Sequence, residues 1–80
     1  MSSDFLSDPI RDGLDAQRLL DDPVFRGAVA KVDADLVKEW RVATTKKDRE
    51  QAWAKQAALD EVIRRIRVIV EGGQVAFTRQ

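Results

Sequence analysis

The chain contains no cysteine, no histidine and no tyrosine among its 80 residues. Without cysteine there is no disulfide scaffold, and without cysteine or histidine there is no conventional zinc or haem site. Ser-His, Cys-His and histidine general-base mechanisms are excluded with them. Long apolar runs are missing too. The longest are three residues, against the roughly 20 needed to span a bilayer as a helix. The opening Met1-Ser2-Ser3-Asp4 lacks the charged and apolar regions of a secretory signal. A soluble intracellular protein without a membrane partner is therefore expected. Glycine and proline are scarce, at four and two. No glycine fingerprint for phosphate binding occurs.

What remains is a helix-forming composition. Apolar residues make up 44% and charged residues 35%, as in amphipathic helical proteins. Fourteen cations balance fourteen anions, but unevenly. Residues 1–22 carry six Asp and two Arg, a net of −4. Residues 44–80 carry eight cations and five anions, a net of +3. An acidic N-terminal stretch thus precedes a mildly basic C-terminal half.

The pattern predicts an all-α fold, an antiparallel hairpin of two long helices preceded by a short helix and a flexible acidic arm. The arm is expected over 1–12, the helical domain over 13–73 and a tail over 74–80. Asp12 or Asp15 is expected to cap a short helix ending near Leu20. Asp22 then suits an N-cap and Pro23 the first helical position, where a missing N–H costs nothing. From 23 to about 43, Phe25, Ala28, Val29, Val32, Leu36, Trp40 and Ala43 recur at helical spacing and form one core stripe. Thr45 and Asp48 resemble a capping box. A second long helix is expected from about 46 to 71, stopped by Gly72-Gly73 acting as a C-cap. Its core stripe holds Ala52, Gln56, Leu59, Val62, Ile63, Ile66, Ile69 and Val70. The tail, with Val75 and Phe77, reads as a frayed end, or as a strand or extended peptide docked on a partner.

Trp53, Ala57 and Val68 fall opposite that stripe. A two-helix hairpin needs only one buried stripe, so cover for this second patch is expected from the short helix or from another subunit, although a single exposed Trp needs none. Together with Phe77 these residues form the expected protein interface. Lys46, Lys47, Arg64, Arg65 and Arg67 are the candidate nucleic-acid contacts, suited to a phosphate backbone. Against that reading, Asp60–Arg64, Glu61–Arg65 and Arg67–Glu71 are spaced for local ion pairs, and the chain has no net basic excess. Asp33 and Asp35, like Asp21 and Asp22, do not converge as an acid–base or metal pair. No catalytic residue, metal, cofactor or small-molecule substrate is expected.

The run Leu19-Leu20-Asp21-Asp22-Pro23-Val24-Phe25, then Trp40, then residues 53–76 (WAKQAALDEVIRRIRVIVEGGQVA) resembles small helical-hairpin proteins of tailed bacteriophages and prophages. Those proteins are encoded among head and DNA-packaging genes. The shared features are a leucine pair before Asp-Pro, Trp on two helices and a closing Gly-x-x-Ala, here Gly73 to Ala76. The resemblance implies a structural or assembly role in a phage head, in the virion or the host cytoplasm. The expected partners are copies of the chain itself or a larger phage structural protein. A DNA-binding module linked to packaging is the alternative, and a small inhibitor of a host protein the second alternative.

Overall fold

A computed structural model describes residues 8–79, and residues 1–7 of the expected arm lie outside the described residues. The chain forms three helices: α1 Pro9–Asp21, α2 Pro23–Val42 and α3 Lys46–Thr78. Each begins at a side chain that accepts an otherwise unpaired backbone N–H. Asp8 accepts from the Arg11 N–H at 3.0 Å, Asp22 from Phe25 at 2.9 Å and Thr45 from Asp48 at 3.1 Å. Pro9 and Pro23 follow the two Asp caps directly. Asp22 alone, in an extended conformation, separates α1 from α2.

The expected all-α fold is present as three helices, but its largest contact lies between the short helix α1 and α3 rather than between the two long helices. α1 and α2 lie end to end and both pack mainly on α3. Both run antiparallel to it: Glu39 meets Lys55 and Asp33 meets Gln56, while Gly13 meets Gly73. With 33 residues, α3 is about 50 Å long at 1.5 Å per residue. The molecule is a rod of 54 × 24 × 24 Å, two helices thick.

The seam follows a 4-3 alternation. On α3, Ala52, Gln56, Leu59, Ile63, Ile66, Val70 and Gly73 are buried or half-buried. On α2 the inward positions are Phe25, Val29, Leu36, Glu39 and Ala43. On α3 this spacing averages 3.5 residues, that of a left-handed helical pair.

Four expectations need correction. Residues 9–12 are helical rather than part of an arm, because Asp8-Pro9 is the same start signal as Asp22-Pro23; neither Asp12 nor Asp15 is the cap. Gly72-Gly73 does not end α3, which runs on to Thr78. Neither glycine has positive φ, and Gly73 instead serves a close helix crossing. Val75 and Phe77 are consequently helical. Trp40 is 53% exposed rather than core. The seam steps from Leu36 to Glu39, whose carboxylate receives Lys55 at 3.0 Å, and Trp40 is turned to the flank. Val32, Val62 and Ile69 are likewise exposed.

Candidate interaction surface

The two ends of the rod are built differently. At one end α1 crosses α3 with backbone against backbone. A Cβ on Gly73 would stand 2.8 Å from the Pro9 carbonyl oxygen and 2.9 Å from Gly13 Cα, and one on Gly13 would stand 2.9 Å from Gly73 Cα. Only glycine at both positions permits this approach. Ala16 is buried beside the crossing. Ile10, Leu14 and Phe77 line a shallow apolar groove along it, with Leu14 and Phe77 well exposed.

At the other end Leu36 and Ala52 are buried between α2 and α3. Val37, Trp40 and Trp53 line a second groove above them. Trp53 is 68% exposed. Two polar clips cross the seam here, Lys55 to Glu39 and Gln56 Nε2 donating to Asp33 Oδ1 at 2.6 Å.

Among the described residues Ala16, Leu36 and Ala52 are the buried apolar side chains, and no large side chain is fully buried. Isolated exposed apolar residues are ordinary. A helical pair whose aliphatic and aromatic side chains stay open to solvent along its length is not, and such surfaces mark interaction sites.

The expected interface residues are dispersed. Trp53 sits in the loop-end groove, and Ala57 lies one turn further along α3. Val68 lies on the outer side of α3, and Phe77 at the α1 end. Trp53 and Phe77 are about 36 Å apart along α3. α1 therefore does not cover Trp53; it packs on the opposite end of α3. Trp40, Val37 and Leu14 join the exposed surface without having been expected there. Their signal in the sequence is position, one or two residues off the seam.

The cationic candidates also stay apart. Lys46 and Lys47 start α3, about 26 Å from Arg64. Arg65 and Arg67 project 200° apart at 100° per residue. Arg64 grips Glu61 with two bonds, at 3.1 and 2.8 Å, and Arg65 adds a third at 2.8 Å. These donors hold the Glu61 carboxyl down at about 2, first through the Arg64 hydrogen bonds and then through Arg65. Of the expected ion pairs only Glu61–Arg65 forms, with Glu61–Arg64 replacing Asp60–Arg64.

Among the described residues no group of three or more acidic side chains is placed to hold a metal ion, and no helix is long and apolar enough to cross a membrane. No known protein family, curated protein or solved structure matches the chain.

Proposed function

We propose that the chain is a non-enzymatic interaction protein, and that its setting is the assembly of a bacteriophage head. It acts by presenting the exposed side of its helical pair to copies of itself or to a larger structural protein of the virion. The observation that carries the interaction reading is the open seam: large apolar side chains flank both grooves, and two of the three buried ones are alanines. The phage setting rests on the resemblance in residues 19–25, Trp40 and 53–76. The DNA-packaging alternative has less support, since its five cations are spread over three sites and two of them share Glu61.

The test is absolute mass by light scattering over a tenfold concentration range. A dimer or larger species reduced by Trp53→Ala supports the self-association reading. A 9.0 kDa monomer at every concentration overturns it and turns the search to DNA or a host protein.

A further inference from the structure

We infer that two copies of this chain pair antiparallel through one side of the rod, so that the Trp53 groove of each receives the Leu14–Phe77 end of the other. This rests on the self-association reading above and gives it a geometry.

The two grooves described above belong to one continuous side; a third apolar groove, lined by Leu19, Ile66 and Ile69, opens separately between α1 and α3. The Leu14–Phe77 groove shares Gln17, Val70 and Gln74 with a central polar stretch, and that stretch shares Asp33 with the Trp53 groove. The side thus reads apolar, polar, apolar along its length. The polar middle holds Arg26 and Arg67 with Asp21, Asp33 and Glu71. A two-fold axis through this middle sets cations of one copy against anions of the other. It also sets each apolar end on the opposite end of its partner. A two-fold interface must be self-complementary in this way.

Charge selects the direction. Residues 38–50, at the loop end, carry five cations and three anions, a net of +2. At the α1 end, residues 8–22 carry five Asp and two Arg, and residues 67–79 add two Arg and one Glu, a net of −2. Antiparallel pairing brings unlike ends together twice, and parallel pairing brings like ends together twice.

The same complementarity identifies the occupant as a second copy: the acidic α1 end of each chain meets the basic loop end of the other.

The absence of cysteine makes single spin labels straightforward. Labels at Lys47→Cys, measured by pulsed dipolar spectroscopy in the full chain, are expected about 50 Å apart in the antiparallel dimer. A mixture of Lys47→Cys and Arg11→Cys labelled chains is expected to add a distance of about 25–30 Å. Trp53→Ala and Phe77→Ala are each expected to raise the dimer Kd at least about tenfold, and the double variant by less than the product. Lys47 labels about 25 Å apart, or strictly multiplicative effects of the two substitutions, overturn the antiparallel geometry while leaving self-association intact. A monomer in the unlabelled chain overturns both.

Discussion

The α1 end and the loop end of the rod reach the same two-helix thickness by opposite means. At the α1 end, Gly13 and Gly73 remove side chains so that backbones touch. At the loop end, Leu36 and Ala52 fill the seam while both tryptophans are left at its flank. The first contact is short-ranged and intolerant of added volume. The second is a partial core that depends on one large residue. In a chain this small, neither device alone amounts to a conventional core. They differ in what disturbs them, and in whether anything else finds room to bind.

The largest separation of the two ends is expected from Gly73→Val. Its Cβ meets backbone atoms, which cannot rotate away. α1 must lift off, at a cost of about 3 kcal/mol. Hydrogen exchange is expected to show lost protection over α1 while α2 retains its own; equal loss over both would show that the ends are not separable. The complementary break is Leu36→Ala, at about 2 kcal/mol, the low side of such truncations because the site opens to a groove. Here α2 is expected to lose protection first. Gly72→Ala sharpens the contrast between adjacent glycines. Nothing lies within 4 Å of a Cβ at Gly72, so alanine is expected to raise stability by about 0.5–1 kcal/mol. A fall in Tm would mean that Gly72 also takes part in the crossing.

The smallest effect belongs to Glu61, which lies at neither end. Its carboxyl titrates at about 2 when folded, against 4.5 ordinarily. A lowered carboxylate contributes stability that is complete above about 4.5 and disappears as pH falls toward about 2. Thermal melts should therefore show the chain losing its advantage over Glu61→Gln across that window. The ends of the hairpin should respond alike. Because the cluster is solvent-exposed, salt is expected to diminish the difference.

Much of this fold is legible in the sequence, and the exceptions have physical causes. Asp22-Pro23 and Thr45 announce their helices through cap chemistry alone. Asp8-Pro9 carries the same signal, obscured by the polar residues before it. The α3 seam is readable because Ala52, Leu59, Ile66 and their neighbours keep a strict period. Gly72-Gly73 misleads because glycine fits both a helix stop and a tight crossing, and only the partner helix decides between them. The continued spacing Ile66, Val70, Gly73, Ala76 was the available evidence for a helix running on. Trp40 misleads by a single position, since Glu39 and Trp40 both satisfy helical periodicity. Of the surface, Trp53 was legible as a residue outside the main stripe, and Phe77 only as an apolar residue of the expected tail. Their placement at opposite ends of one side was not, because it depends on where α1 packs.

With no tyrosine in the chain, ultraviolet emission comes essentially from Trp40 and Trp53, which line the same groove. The molecule therefore carries its own optical marker on one end and is dark at the other. Intrinsic fluorescence follows events at the helical turn between α2 and α3, while α1 can detach with little direct signal. A melt followed by emission and one followed by helicity sample different parts of this rod, and their midpoints coincide only if the whole rod unfolds as one unit.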